Sequence, residues 1–381
     1  MALKSPSCRK GGWFFLMKIA FVITGLGVGG AEKVVTSLAD ALVQKGHEVI
    51  IVYLTGSALV LPVNPDIRII DLEVNSIKGM IFAYFKLRQI LLDFKPDVVH
   101  SHMVHANILT RLLRLTVPMP RLISTAHNVN EGGSLRMLFY RLTDRLTNIS
   151  TNVSQEAVDS FIEQKAVKPG RMIAVHNGID TNLFSCCKDE RMALRNEMGL
   201  DENIRVLLAV GSFTEQKDYP NLLNAFASIS SSGIDAYLLI VGDGPLRSDI
   251  EALAATLGII DKVRFLGLRH DVPALMSGCD VFVLSSAWEG FGLVVAEAMA
   301  CERVVVATDC GGVREVVGDA GFLVPPRDSD KLSRALTEAL ELPEEDRMRL
   351  GLLARERVES FYSMDAALEK WSRLYQQTLP C

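Results

Sequence analysis

The chain has 381 residues, of which 49% are hydrophobic and 22% are charged. This length is enough for two domains, and the composition is that of a folded globular protein, which excludes a disordered, fibrous or disulfide-rich class. The net charge of -5 is unevenly distributed, because residues 1–185 carry +6 and residues 186–381 carry -11. The first half is therefore expected to meet an anionic partner, such as a membrane surface or a lipid diphosphate, unless the opposite charges only attract the two halves to each other.

The seven cysteines include no Cys-x-x-Cys pair and no metal-ligand spacing. Cys279, Cys301 and Cys310 lie beside predicted strands and helices and are expected to be small core residues, which favours a reducing cytoplasm.

No stretch reaches the roughly 18 apolar residues of a membrane span. The early segment CRKGGWFFLM is too short for a secretion signal. Because MKIAFVITG at Met17 looks like a natural start, the sequence leaves open that residues 1–16 are an upstream extension.

Apolar runs alternate with amphipathic helical patterns along the chain, which is typical of parallel sheets covered by helices. The first run, KIAFVIT (18–24), is followed by the turn GLGVGG and by a helix that ends at Gly46. Five further runs are predicted as strands or strand ends: HEVIIVYL, DVVHSH, PRLISTAHN, ISTNVS and MIAVHNGID. Their polar residues cluster at the carboxyl ends, the edge at which open parallel sheets bind ligands.

The alternation breaks after Asp180. Residues 181–203 are polar and are predicted to be irregular, and the strand pattern restarts with RVLLAVG at Arg205. The boundary is therefore predicted near Leu183, giving an N-terminal domain of residues 1–183 and a C-terminal domain of residues 184–363. Later strands are predicted at AYLLIVGDG, KVRFLG, DVFVLSS, RVVVAT and GFLVPP, and residues 364–381 contain one more amphipathic helix.

The segment WEGFGLVVAEAMA (288–300) is predicted to be a tight glycine turn between a buried strand and a helix. The N–H groups of Gly290, Phe291 and Gly292 would then lie at a helix N-terminus, which favours an anionic or oxygen-rich ligand. Glu289 and Glu297 flank this turn. Since carboxylates repel phosphate, they are predicted to accept hydroxyl groups on either side of it. A sugar nucleotide carries hydroxyls on both sides of its diphosphate.

Gly25, Gly27 and Gly30 spell Gly-x-Gly-x-x-Gly after the first strand, the fingerprint of dinucleotide binding. A nicotinamide site also needs an acidic residue at the end of the second strand, and residues 53–55 (Tyr-Leu-Thr) contain none. The fingerprint therefore does not indicate NAD. Gly27, Gly29 and Gly30 are instead predicted to let backbone N–H groups approach a phosphate of the bound ligand.

The acid pair around Gly-Phe-Gly, with PRDSDKL downstream and GLGVGGAE near the start, resembles the retaining glycosyltransferases of the GT-B fold, in particular family 4. The resemblance covers nearly all of the chain from Met17 onward. It implies an α/β architecture of two facing Rossmann-like domains with parallel sheets and an interdomain cleft. It also implies that the last helix, within residues 364–381, crosses back to the first domain.

The same resemblance implies a cytoplasmic enzyme that needs neither a metal nor a cofactor. It would move a sugar with retention from a nucleotide diphosphate-sugar, with UDP-sugar favoured over GDP-sugar, to a hydroxyl of a glycan or lipid-linked acceptor in bacterial surface polysaccharide synthesis. The leaving diphosphate itself would assist deprotonation of the incoming hydroxyl. No nucleic-acid partner is expected, and contact with the inner face of an anionic membrane is left open.

Residue roles follow from this resemblance. Glu297 is assigned to the ribose, Lys217 to the diphosphate, and Glu289 to the transferred sugar. His127, in STAHN, is expected to bind the sugar and to orient the acceptor, so His127 and Glu289 are the candidate catalytic residues. The other predicted donor contacts are Gly27, Gly29, Gly30, Ser212, Gly242, Asp243, Leu268, Arg269, Gly290, Phe291, Gly292 and Leu293.

One position departs from the family pattern. An arginine usually follows the glycine that ends the first strand of the second domain, and here that position is Ser212. A serine offers one neutral hydrogen bond where an arginine offers a charged, bidentate pair. Either the diphosphate is held with less charge, or another cation such as Arg269 or Arg303 reaches in.

Two motifs could be mistaken for metal sites. His100, His102 and His105 have no acid or cysteine at a useful spacing, so they are predicted as strand-end and helix-start residues, with His102 open as a lining residue of the acceptor cleft. The sequence Asp-Ser-Asp at 328–330 begins a predicted helix, capped by Asp328 or Ser329. No metal ligand is therefore predicted.

Two helical segments of the first half, IKGMIFAYFKLRQILLDFK and SLRMLFYRLTDRLT, mix cations with large apolar residues. Such helices suit a membrane interface, or they pack into the core with solvated charges. The cations are Lys78, Lys86, Arg88, Arg136, Arg141 and Arg145.

Two other functions stay open: a sugar-nucleotide epimerase or synthase of the same architecture, and a noncatalytic subunit that binds a sugar nucleotide.

Overall fold

The structure is a computed structural model that describes residues 16–129, 131–201 and 204–377. Cys8, Cys381 and residues 1–15 of the suggested extension lie outside the described residues. In the part that is described, no helix combines the length and the apolar character needed to cross a bilayer.

The first domain is built on a seven-stranded parallel sheet with the order β3-β2-β1-β4-β5-β6-β7. The strands are β1 (Lys18–Ile23), β2 (Glu48–Tyr53), β3 (Arg68–Asp71), β4 (Val98–His102), β5 (Arg121–Ala126), β6 (Ile149–Asn152) and β7 (Met172–Ala174). β1 pairs with β2 on one side and with β4 on the other, so the strand order reverses there. Open parallel sheets bind ligands at the carboxyl ends beside such a reversal.

The second domain repeats this design with a six-stranded parallel sheet in the order β10-β9-β8-β11-β12-β13. Its strands are β8 (Arg205–Val210), β9 (Ala236–Val241), β10 (Val263–Gly267), β11 (Val281–Leu284), β12 (Val304–Thr308) and β13 (Phe322–Val324). Here β8 lies at the reversal, between β9 and β11. The predicted boundary near Leu183 falls between the last strand of the first sheet and the first strand of the second.

Helices cover both sheets. Those before β8 are α1 (Gly30–Gln44), α2 (Ile77–Phe94), α3 (Val104–Leu113), α4 (Ser134–Thr143), α5 (Gln155–Glu163) and α6 (Lys188–Met198). Those after it are α7 (Tyr219–Ser231), α8 (Arg247–Thr256), α9 (Val272–Gly278), α10 (Leu293–Ala300), α11 (Val313–Val317), α12 (Ser329–Glu341), α13 (Glu344–Phe361) and α14 (Met364–Gln376).

The expectation that residues 181–203 are irregular is wrong, because α6 lies within them. This helix ends at Gly199, which adopts a left-handed conformation with φ of 64°, as helix C-termini often do. Leu194 is its main buried apolar residue and packs against Gly278 at the end of α9. One buried apolar residue gives almost no periodic signal, so the sequence pattern did not reveal the helix.

The last helix, α14, packs on the first domain. Its side chains Leu368, Trp371 and Tyr375 join the same buried cluster as Ile19 and Phe21 of β1. Burying each large apolar side chain stabilises this contact by about 2 kcal/mol. The predicted fold class, with two facing Rossmann-like domains and a C-terminal helix that returns to the first, is confirmed.

Candidate active site

The two domains meet at the carboxyl ends of their sheets. A Cβ atom on Gly290, in the turn after β11, would overlap the carbonyl oxygen of His127, in the loop after β5. Ser154 also donates a hydrogen bond to the carbonyl of Gly290 at 2.7 Å. The loop that contains His127 and the turn that contains Glu289 therefore face each other across the cleft.

Glu289 is buried and is held by three neighbours. Its Oε1 atom accepts hydrogen bonds from Ser286 Oγ at 2.8 Å and from Lys217 Nζ at 2.5 Å, and its Oε2 atom accepts from Gln216 Nε2 at 3.4 Å. A Cβ on Gly311 would overlap the carbonyl of Glu289, so the chain approaches as closely as glycine allows. Glu289 and Lys217, both predicted donor contacts, are thus brought together.

Gly290, Phe291, Gly292 and Leu293 form the predicted turn and the start of α10. Gly292 caps the helix with φ of 84°, a conformation that favours glycine. Gly290, Phe291 and Gly292 are buried, and Leu293 is the first helical residue. The orphan N–H groups of this first turn lie beside the acid pair, where they favour a negatively charged ligand.

Glu297 is the fifth residue of α10, and its side chain is 3% exposed. Its Oε1 atom lies 2.5 Å from Lys33 Nζ, which belongs to α1 of the first domain. Burial raises the pKa of Glu297, and the ion pair with Lys33 opposes that shift. Glu297 therefore reaches the first domain, whereas the Glu289 side chain is held within the second domain, one residue before the glycine that touches His127.

His127 directly follows β5 and is partly buried. Its Nε2 atom lies 3.0 Å from His102 Nδ1, and its backbone N–H donates to Glu131 Oε1 at 3.3 Å. Burial lowers the pKa of His127 to about 4, so the ring is neutral at pH 7. A neutral imidazole can both donate and accept a hydrogen bond, as a sugar-orienting group requires.

The suggestion that His102 lines the acceptor cleft is wrong. His102 is 1% exposed, because it lies behind His127 and packs against Phe21, with ring centres 5.6 Å apart. His100 is also fully buried, and bonds Tyr375 of α14 and Thr125 of β5. His105 lies in the first turn of α3, as predicted.

The glycine loop after β1 borders open space. A Cβ placed on Gly27 or Gly30 would meet no protein atom within 4 Å, and neither residue has a left-handed backbone. Protein packing therefore does not explain why these two positions are glycine. Close approach of a ligand to the backbone would explain it. Gly29 differs, because a Cβ there would overlap the carboxylate of Glu32.

Ser212 is exposed and borders an open cavity of 470 Å³. This cavity is also lined by Thr214, Glu215, Gln216, Pro245, Leu246 and Trp288. Gly242 is held against the chain, since a Cβ on it would overlap the carbonyl of Gly211, and Asp243 is exposed beside it. Of these predicted donor residues, Ser212 therefore lines the cavity, whereas Gly242 is packed against Gly211.

The two arginines suggested as substitutes for the missing one are otherwise engaged. Leu268 is exposed at the end of β10, but the next residue, Arg269, pairs with Glu197 at 2.8 Å and with Asp271 at 2.6 Å. Arg303 precedes β12, at the opposite edge of the sheet, and bonds the carbonyls of Cys279 and Cys301. The suggestion that Arg303 reaches the diphosphate is wrong for this reason.

Asp328 caps α12, because its side chain accepts a hydrogen bond from the N–H of Lys331 at 2.9 Å. The capping prediction is confirmed. Cys279, Cys301 and Cys310 are buried, as expected.

Three contributors to the site were missed from the sequence: Lys33, Glu131 and Ser286. Lys33 follows Gly30 by three residues on α1, so helical spacing alone would have placed it on the same face as the glycine loop. Ser286 ends the predicted strand DVFVLSS, where polar residues at a carboxyl edge signal a site. Glu131 lies in a loop without any periodic pattern, and no sequence signal pointed to it.

A polar contact between the domains closes the cleft on the side of α5. Glu315 of α11 accepts hydrogen bonds from the N–H groups of Gln155 and Glu156, each at 3.1 Å, and from His176 Nε2 at 2.9 Å. In the other direction, Glu156 Oε1 accepts from the N–H of Gly311 at 3.1 Å. Carboxylates of both domains thus satisfy orphan amides of the opposite domain.

Two parallel-sheet domains that face each other at the carboxyl ends of their strands have the architecture of the GT-B fold. The family model described as Glycosyltransferase Family 4 matches residues 28–183, and the model described as Glycosyl transferases group 1 matches residues 190–357. The chain belongs to glycosyltransferase family 4.

Relatives match over most of their length. N-acetyl-alpha-D-glucosaminyl L-malate synthase of Bacillus anthracis is 29% identical over 92% of this chain and 95% of its own. N-acetylgalactosamine-N,N'-diacetylbacillosaminyl-diphospho-undecaprenol 4-alpha-N-acetylgalactosaminyltransferase of Campylobacter jejuni is 26% identical over 88% of this chain and 92% of its own. The structure of Anabaena HepE in complex with UDP and glucose superimposes with a TM-score of 0.81, covering 94% of this chain and 98% of the other at 20% identity, which supports the fold.

Proposed function

We propose that this chain transfers a sugar with retention from a nucleotide diphosphate-sugar, preferentially a UDP-sugar, to a hydroxyl of a lipid-linked glycan acceptor in bacterial surface polysaccharide synthesis. One observation carries the proposal: Glu289 and Glu297 lie on either side of the first turn of α10, where this turn contacts the first domain through Lys33 and His127. The two carboxylates can accept from a sugar hydroxyl on one side and from a ribose hydroxyl on the other. The N–H groups of the helix start, between them, can donate to a diphosphate.

Two similarities support the choice of donor and acceptor. UDP and glucose are bound by Anabaena HepE, which shares the fold, and the Campylobacter relative is a transferase that acts on a diphospho-undecaprenol-linked acceptor. The positive charge of residues 1–185 suits such an anionic acceptor.

The chemistry asks little of the protein beyond positioning and charge. As the bond between the sugar and the diphosphate breaks, negative charge develops on the leaving oxygen. Lys217 and the N–H groups at the start of α10 would stabilise that charge. The departing diphosphate would accept the proton of the incoming hydroxyl on the same face of the sugar. The proposed reaction therefore requires neither a protein nucleophile nor a metal. His127 would orient the sugar and the acceptor.

The acceptor side has a surface that suits a membrane. On α2, Ile81, Phe82 and Phe85 are 60%, 76% and 61% exposed, and on α4, Leu135 and Leu142 are 65% and 67% exposed. The other face of α2 packs in the hydrophobic core. The helix therefore has apolar residues both on its buried face and on its exposed face. Exposed aromatic residues among cations are typical of contact with an anionic bilayer. We propose that the protein contacts the membrane peripherally through this surface of α2 and α4.

The proposal is tested by incubating the protein with a panel of UDP-, GDP- and ADP-sugars and following the products by NMR. Transfer, or slow donor hydrolysis that releases a sugar of retained configuration, is expected for the matching donor. Glu289→Gln should reduce turnover by between about tenfold and a hundredfold, since a charged hydrogen bond contributes about 1.5–3 kcal/mol. The control Glu338→Gln, on the exposed face of α12, should not change it.

Other outcomes would overturn the proposal. An epimerised nucleotide-sugar as the product would indicate the epimerase alternative. Tight donor binding without hydrolysis or transfer to any lipid-linked acceptor would indicate a noncatalytic binding subunit.

A further inference from the structure

Each acid of the pair is held by a lysine, and the two lysines come from different domains. Lys217, in the second domain, lies 2.5 Å from Glu289, and Lys33, in the first domain, lies 2.5 Å from Glu297. The site therefore contains two matched pairs of an acid and a lysine, one within the second domain and one between the domains.

The environment of Lys33 differs from that of the acid it contacts. The Glu297 side chain is 3% exposed, whereas that of Lys33 is 39% exposed and lies over the ring of Phe184, 4.6 Å from its centre. A buried carboxylate needs a partner, because desolvation disfavours its charge. The lysine, on a long flexible chain at the rim, can move to a new partner if another group satisfies the acid.

The geometry of α1 directs Lys33 toward the expected diphosphate. Lys33 follows Gly30 by three residues, so the two lie on one face of the helix. Gly27 and Gly30 on that side border open space. A diphosphate approaching this loop would therefore come within reach of Lys33 Nζ.

Two arginines of the second domain are each held by two carboxylates, whereas Lys217 and Lys33 each pair with one. Arg269 is shared by Glu197 and Asp271, and Arg247 pairs with Glu251 at 2.7 Å and lies near Asp243. Ser212 contributes no charge. A diphosphate carries about two negative charges, and Lys217 offsets one of them.

Resting on the proposed function, we infer that Lys33 is the second cation of the diphosphate site and replaces the charge that Ser212 lacks. When the donor binds, the ribose hydroxyls take over Glu297, and Lys33 moves from Glu297 to the diphosphate. No covalent bond changes in this exchange. Because Lys33 belongs to the first domain and the nucleotide contacts belong to the second, the exchange also links diphosphate binding to contact between the domains.

Calorimetry with uridine and UDP separates this role from a structural one. In Lys33→Met, affinity for UDP should fall about tenfold or more, because a charged hydrogen bond is lost, while affinity for uridine should not. Lys33→Arg should retain most of the UDP affinity. Lys45→Met, which removes an exposed lysine paired with Asp365 at the far end of α1, should bind both ligands as the wild type does.

A second experiment uses inorganic pyrophosphate, which lacks the ribose. Glu297→Gln should bind pyrophosphate more tightly than the wild type, since Lys33 no longer has a competing carboxylate. Lys33→Met combined with Glu297→Gln should lose that gain. This comparison stays informative even if Lys33→Met alone folds poorly.

The outcomes are distinguishable. If wild-type protein binds no sugar nucleotide and no UDP, the proposed function fails. If it binds UDP and Lys33→Met binds UDP equally well, or loses uridine and UDP to the same extent, the role of Lys33 is overturned while the proposed function stands. An unchanged pyrophosphate affinity in Glu297→Gln overturns the exchange of partners.

Discussion

The Nδ1 atom of His102 lies 3.0 Å from the Nε2 atom of His127, so one imidazole stands directly behind the other at two adjacent strand ends. Burial holds the pKa of His102 well below its ordinary value and lowers that of His127 to about 4. Both rings are therefore neutral at pH 7, and one must donate the proton that the other accepts. His102 thus fixes the orientation of His127 and couples the tautomers of the two rings.

His102 is accordingly expected to act as a positioning residue. His102→Phe removes the hydrogen bond and should lower kcat about tenfold, since a buried hydrogen bond contributes about 1 kcal/mol or more. KM for the donor should change little. His102→Gln, whose amide can still bond His127, should recover part of the loss. His105→Gln, on the exposed start of α3, is the control. Equal losses of kcat in the Phe and Gln variants would show that the hydrogen bond does not matter.

A second prediction concerns acid stability. His100 is fully buried, and burial together with the neighbouring His127 holds its pKa well below 6.5. Below pH 6.5 the unfolded chain takes up a proton there that the folded chain does not. The contribution of His100 to the free energy of unfolding therefore falls as the pH falls, by about 1.4 kcal/mol per pH unit.

Chemical denaturation at several values between pH 7 and about pH 5 measures this slope. In His100→Gln the titrating group is gone, so the stability curve should be less steep than that of the wild type by about 1.4 kcal/mol per pH unit. Parallel curves for the two proteins would mean that His100 is protonated as readily in the folded state as in the unfolded one.

The acid pair was predictable because it belongs to one local unit. A buried strand, a glycine turn and an apolar helix are all encoded within about twenty residues, and the spacing of Glu289 and Glu297 follows from them. Lys33 could not be found in this way, because its contact with Glu297 joins residues 264 positions apart through the packing of two domains. Local patterns carry no information on that packing.

The error on His102 has a similar cause. Strand alternation places His100 and His102 on one face of β4, which the sequence does show. The residues that cover this face are not visible in the local pattern, because His127, which lies in front of His102, follows the neighbouring strand, and Tyr375 and Trp371, which cover His100, come from the far end of the chain. The short strand β3 was missed since RIID is only partly buried and gives a weak apolar signal.

The glycines of the cleft give a third prediction. Gly27→Ala adds a methyl group into open space, so the thermal midpoint should stay unchanged while donor affinity falls, because a ligand needs that space. Gly290→Ala differs, since its methyl group would overlap the carbonyl of His127 and force the domains apart. It should lower both activity and stability. A folded Gly27→Ala variant with unaltered donor affinity would place the donor elsewhere.

The exposed apolar surface of α2 gives a fourth prediction. Transfer of an aromatic side chain into an apolar environment contributes about 2 kcal/mol, so Phe82→Asp combined with Phe85→Asp should weaken vesicle binding by at least about a hundredfold. Co-sedimentation with vesicles that contain an anionic lipid measures this. Phe361→Asp, an exposed aromatic position on α13 of the second domain, is the matched control and should sediment as the wild type does.

Salt dependence separates the apolar from the ionic part of this contact. Lys86 donates to the carbonyl of Asp71, but its charge remains at the surface beside Phe82 and Phe85. Replacing Lys78, Lys86 and Arg88 with glutamate should release the protein from anionic vesicles and remove most of the sensitivity to salt. Because these residues lie away from the acid pair, transfer to a water-soluble acceptor analogue should persist in this variant. If the variant sediments with vesicles as the wild type does, α2 is not the membrane-binding surface, and its apolar face must serve another contact.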